Sequence, residues 1–177
     1  MPNWCSNGIT LRHADPAMID RVIKGKDGLL MEFLPTPQEL QDAVANFTTN
    51  EAMVAKHGYS SWYDWNIANW GTKWDFNLEN VERQDANTVT AAFDSAWAPP
   101  VNAYEKLCAL GFEIEAMYYE PGMCFVGKFV GDEDSVDDNC FEYGGETSET
   151  VRELIGEELD DYFGISESMV EYEEDQE

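Results

Sequence analysis

From Phe112 to Glu120 the side chains alternate, with Phe112, Ile114 and Ala116 set against Glu113 and Glu115. That period of two marks a strand with one buried face. Pro121-Gly122 then supplies a turn, and Met123 to Val130 returns as an antiparallel neighbour. A chain holding such a unit must cover the apolar face with something. Two amphipathic helices are available. Asp15 caps and Pro16 opens the first, whose stripe of Met18, Ile19, Val22 and Ile23 ends near Gly25. Val101, Tyr104, Leu107, Cys108 and Leu110 mark the second, which Gly111 stops.

Three more strands complete the set. Residues 3–13 carry Ile9 and Leu11 in alternation, residues 73–83 carry Trp74, Phe76 and Leu78, and residues 88–97 return from the turn at Asp85-Ala86-Asn87. The order is strand, helix, strand, strand, helix, strand, with one extra strand. This is the split βαβ plan of a ferredoxin-like α+β fold, an antiparallel sheet with helices on one face. The expected domain covers residues 1–131. Residues 29–37, closed by Pro35 and Pro37, are expected to run extended, and a helical insertion is expected at about 37–70, with Leu40, Val44 and Phe47 on its first piece.

The end of that insertion holds four of the six tryptophans, in residues 62–75. Trp62 and Trp65 share a face of a short helix that Gly71 ends. Indoles bury large areas, so this cluster reads first as core, and second as a contact surface of Trp62, Trp65 and Trp70. A base-stacking platform would also need cations, and only Lys73 and Lys56 are near.

Charge separates the chain into two parts. The whole carries 36 Asp and Glu against 10 Lys and Arg, a formal charge of -26. From Glu113 onward 22 carboxylates face two basic residues, so -20 of that charge lies there. Residues 132–177 are expected to form an acidic extension with one helix at about 148–163 and a frayed tail at 171–177. Glu157, Glu158, Asp160 and Asp161 would then sit in the second half of that helix, against its dipole. Such a charge makes naked nucleic acid and anionic membrane poor partners and points to a basic protein surface.

Other chemistries find little support in the residues. Asp132 to Asp138 begins like a calcium loop, but Asp137 takes the place of the turn glycine and Tyr143 that of the bidentate glutamate. The four cysteines form no CxxC, and the two histidines, His13 and His57, belong to no recognisable nucleophile motif. No phosphate-binding loop appears. No catalytic residue, metal or cofactor is expected. Free thiols and the lack of an apolar run of about 20 residues lead us to expect a soluble protein of the cytosol.

The segments Met1-Pro2-Asn3-Trp4-Cys5-Ser6-Asn7, Asn69 to Asp75, Trp97-Ala98-Pro99-Pro100 and Tyr119-Glu120-Pro121-Gly122 resemble the YubB-like family of phage and plasmid proteins. The resemblance runs from residue 1 to about 130. It implies a ferredoxin-like part, a mobile genetic element as source and a bacterial cytoplasm, and it brings no catalytic residues.

Two functional expectations follow. In the first, a non-enzymatic protein mimics DNA with Glu149, Glu153, Glu157, Glu158, Asp160 and Asp161, joined by Glu113 and Glu115, and inhibits a host nucleic-acid-binding defence protein of CRISPR or restriction type. In the second, it is a structural or regulatory module that binds through Trp62, Trp65 and Trp70. A carboxylate enzyme or calcium-binding protein is a lesser third. Acidity that serves solubility alone stays open beside all three.

Overall fold

The computed structural model describes residues 2–43 and 50–174. The expected helical positions Val44 and Phe47 lie outside these residues, as does the end of the expected tail. In chain order the elements are β1 (Trp4–His13), α1 (Pro16–Lys24), α2 (Leu29–Phe33), α3 (Gln38–Asp42), α4 (Glu51–His57) and α5 (Trp62–Trp70). They continue with β2 (Glu79–Asp85), β3 (Thr88–Ala96), α6 (Val101–Cys108), β4 (Phe112–Glu120), β5 (Phe125–Gly131) and β6 (Val136–Glu142). Three short helices end the chain, α7 (Val151–Ile155), α8 (Glu157–Phe163) and α9 (Ile165–Glu174).

The strands form one sheet in the order β2-β3-β1-β4-β5-β6, every described pair antiparallel. Its first four positions are the ferredoxin-like arrangement, and β5 and β6 extend it beyond β4. Antiparallel partners share a face, so register fixes what each side of the sheet presents. On the first face Ile9, Leu11, Val89, Phe93, Phe112, Ile114 and Phe129 meet Ile19 and Val22 of α1, Leu30 and Phe33 of α2, and Tyr104 and Leu107 of α6 in one buried core. Each such side chain contributes roughly 2 kcal/mol by leaving water. Asp15 accepts from the Ala17 N–H at 3.0 Å, as its place before Pro16 predicts.

The second face is covered only in part. Met117, Tyr119 and Val126 pack there against Val151, Ile155, Leu159, Phe163 and Ile165 of the three C-terminal helices. Gly8 makes room for this layer: a Cβ on it would stand 2.0 Å from the Tyr162 hydroxyl.

Several local expectations are corrected. Residues 29–33 are helical, because Asp75 accepts from the Leu30 and Met31 N–H groups at 2.9 and 2.8 Å and so caps α2 from 45 positions away. The strand expected from residue 73 begins only at Glu79, since Asp75 is committed to that cap and the Leu78 N–H donates to Lys26 O. Phe76 and Leu78 are still buried, as their alternation requires. The acidic stretch after residue 131 does not stay a loop: β6 pairs with β5 over seven consecutive positions. The single helix expected at 148–163 is interrupted at Gly156 (φ 85, ψ 158), and α9 carries helix through residues 171–174, the described part of the expected frayed tail.

Candidate acidic docking surface

The break at Gly156 changes the electrostatics of the acidic residues. Glu157, Glu158 and Asp160 occupy the first turn of α8, where carboxylates favour the helix dipole. The expected local cost is therefore absent, and the acidity there stabilises its own helix. Glu149 precedes α7 and Glu153 lies on it, both exposed. Since α7 and α8 are separate, Glu153 and Glu157 do not share one rigid rod.

Asp160 is not a surface charge. It is only 2% exposed, and its carboxylate accepts from the Ser166 N–H at 2.8 Å, the Ser166 hydroxyl at 2.7 Å and the Arg152 guanidinium at 2.8 Å. Burial raises its pKa, but these hydrogen bonds outweigh it and hold the group below the ordinary carboxylate range. Asp160 thus ties α7, α8 and the start of α9 together. Asp161 is exposed and shares Arg152 at 2.7 Å.

Glu113 and Glu115 project from β4 onto the second face, the side the C-terminal helices occupy. Glu115, Met117 and Lys128 form a groove with Glu158 and Tyr162 of α8, of about 260 Å³. Lys128 and Glu158 are 2.6 Å apart across it. Arg12 lies beside Glu113 in the strand register. The structure therefore brings Glu113, Glu115, Glu157, Glu158 and Asp161 to one side of the sheet, with Arg12, Lys128 and Arg152 as the cations among them.

The tryptophans divide differently from expectation. Trp70 is 2% exposed, donates its indole N–H to Leu34 O at 2.9 Å and packs edge-on against Trp65 with centroids 5.9 Å apart. It belongs to the core, not to a contact surface. Trp62 and Trp65 are half-buried. The exposed indoles are Trp4, Trp74 and Trp97. Trp4 and Trp74 stand 6.3 Å apart, Lys73 lies over the Trp74 ring, and the Trp97 backbone N–H donates to Asn3 O, next to Trp4. Trp4 was readable as exposed, because it is out of phase with Ile9 and Leu11. Trp97 was not: its phase matches the buried Phe93 and Ser95, and a positive φ of 75° takes it out of the strand.

The two buried thiols and the histidines are held inert or committed. Burial pushes the Cys5 thiol up to about 12 and the Cys108 thiol up to about 11, far from the range of a nucleophile. His13 Nδ1 accepts from the Asp15 N–H at 2.9 Å, which leaves Nε2 to donate to Leu110 O at 3.1 Å. His57 pairs with Glu39 at 2.8 Å. Asp132 accepts from the Asp134 and Ser135 N–H groups, an arrangement that leads into β6. Among the described residues no group of three or more His, Cys, Asp or Glu is placed to hold a metal ion, and no helix is long and apolar enough to cross a membrane.

Comparison with known proteins bears on this fold. The crystal structure of the protein api92 from Yersinia pseudotuberculosis is similar with a TM-score of 0.50 at 15% identity, over 82% of this chain and 99% of that one. At such identity the likeness speaks for the fold alone. No curated protein matches. A family model described as "Ferredoxin-like domain in Api92-like protein" matches residues 69–164. The match carries neither the YubB-like name nor a phage or plasmid source, and it begins after the Trp4 segment. It includes β6, α7 and α8, so the acidic helices lie within it. The chain belongs to this Api92-like family and carries its ferredoxin-like domain.

Proposed function

We propose that this protein is a non-enzymatic inhibitor whose acidic surface occupies the nucleic-acid groove of a basic host protein, of the CRISPR or restriction type, in the cytoplasm of a bacterium that harbours the encoding mobile element. One observation carries the reading: Glu113 and Glu115 of the sheet and Glu157, Glu158 and Asp161 of α8, which packs on it, stand on the same side of the sheet. A groove built for DNA presents Lys and Arg against one negative charge per about 1.7 Å of duplex. Carboxylates set on a sheet and a docked helix oppose that array with little ordering cost on binding. Asp160 drops out of the contact set, since it is buried.

The test is capture of nucleic-acid-binding proteins from bacterial lysate by the purified chain, with duplex DNA as competitor. Capture that duplex DNA displaces and that E149K/E153K/E157K/E158K loses supports the reading. Capture indifferent to both overturns it. In a second reading the protein is a structural or regulatory interaction module, and the exposed indoles Trp4, Trp74 and Trp97 favour it in place of the expected Trp62, Trp65 and Trp70. Capture lost on Trp4→Ala and Trp97→Ala, but kept on charge reversal, would select that module.

A further inference from the structure

The two edges of the sheet are built differently. β2 is interrupted by register shifts between Glu79 and Glu82 and between Arg83 and Asp85, and Arg83 is drawn to Asp20 of α1. Such irregularity blunts an edge against further pairing. β6 has none of it. Its seven residues run in unbroken register with β5, from Gly131 opposite Val136 to Phe125 opposite Glu142. Six of the seven are exposed and the seventh is half-buried, and no described strand lies on its outer side.

Beside this edge, on the first face, lies an open groove of about 420 Å³. Asp138, Cys140 and Glu142 of β6 form one wall, and Ile67, Pro99 and Val101 contribute apolar surface. Tyr118 donates to Asp138 at 2.8 Å, and neither Asp138 nor Glu142 meets a cation among the described residues. Apolar walls with carboxylates at one side suit an aliphatic stem that ends in a positive charge.

We propose that β6 is the docking edge for an extended lysine- or arginine-rich segment of a partner protein, which adds as a seventh strand and lays alternate basic side chains into the groove beside Asp138 and Glu142. Strand addition takes its affinity from backbone pairing and its specificity from alternate side-chain positions. Charge selects the occupant. A second copy would bring the Asp137, Asp138 and Glu142 carboxylates of both chains to one seam without a cation, which opposes self-pairing. A basic strand instead sets the Cβ of each lysine or arginine about 5 Å from that of its carboxylate neighbour. The inference shares with the reading above only the basic partner and uses a different surface.

The experiment uses the full chain and two fluorescent ten-residue peptides at about 0.15 M salt, where exposed charges act over about 8 Å. One peptide alternates lysine and threonine. In the other every backbone nitrogen is methylated, which keeps the charge and removes the ladder donors. The expected result is that the lysine-threonine peptide binds, slows amide exchange within residues 136–142, and loses about tenfold in affinity on D138N/E142Q, while the N-methylated peptide binds far more weakly. Both substituted sites are exposed, and an unchanged melting curve checks the fold.

Equal binding of the two peptides, no binding of either, or protection outside β6 overturns the proposal. E149K/E153K/E157K/E158K separates the two readings. If that variant loses its nucleic-acid-binding partner but keeps peptide protection at β6, both hold. If wild-type capture succeeds while the peptide fails, only the edge proposal falls. If the peptide protects β6 while capture ignores the reversal, only the acidic-surface reading falls.

Discussion

Tyr118 reaches from β4 across β5 to donate to Asp138 of β6 at 2.8 Å, and it crosses at Gly127, the position on β5 opposite it. A Cβ at residue 127 would lie 2.3 Å from the Tyr118 hydroxyl and 2.6 Å from the Asn139 carbonyl. Burial, reinforced by the Asp138 carboxylate, holds the phenol well above its ordinary pKa. Gly127→Ala is expected to cost about 1–3 kcal/mol, because backbone as well as side chain must shift. Tyr118→Phe, which removes one hydrogen bond without a clash, should cost about 1 kcal/mol. Urea unfolding of both variants checks this, and equal midpoints would mean that the crossing is not tight.

Gly156 offers a test whose sign distinguishes two structures. At φ 85, ψ 158 it occupies backbone space that is nearly closed to other residues, though nothing lies within 4 Å of an added Cβ. Gly156→Ala should therefore destabilise by about 1–3 kcal/mol through the backbone alone. In one continuous helix over 148–163 the same change would stabilise by about 1 kcal/mol. Thermal unfolding decides between them.

Asp160 makes stability depend on pH. Its folded-state pKa lies below the ordinary range, so its contribution is present above the unfolded value of about 3.9 and is lost as pH falls through the folded value. Asp160→Asn is expected to cost about 2 kcal/mol at neutral pH, a modest figure for a buried carboxylate because Arg152 is part-exposed. The gap between variant and parent should narrow below pH of about 4. Urea midpoints at neutral and acid pH measure it, and a constant gap would remove Asp160 from the tie between α7, α8 and α9.

The tryptophans separate by energy. Trp70→Ala should cost about 3–5 kcal/mol, since it empties a core position and leaves Leu34 O without its donor. Trp4→Ala should stay within about 1 kcal/mol, since half of that ring is already in water. Similar losses for both would mean that the two indoles are buried alike.

Much of the sheet was legible because its pattern is local. The alternation at Phe112 to Glu120, the turn at Pro121-Gly122 and the Asp15-Pro16 cap each act between near neighbours. The candidate surface was legible only as composition. That Asp160 is buried while Glu153 is exposed depends on Ser166 and Arg152 converging on one carboxylate.

Period and caps in the sequence thus determined five of the six described strands, with the start of β2 misplaced, the two main helices and the ferredoxin-like order. Only the tertiary structure decided that Asp75 caps α2, that β6 continues the sheet, that Trp70 is core while Trp97 is exposed, and which carboxylates face water. The physical reason is range. Backbone periodicity and capping are set within a few residues, whereas burial and charge pairing depend on which distant segments the fold brings together.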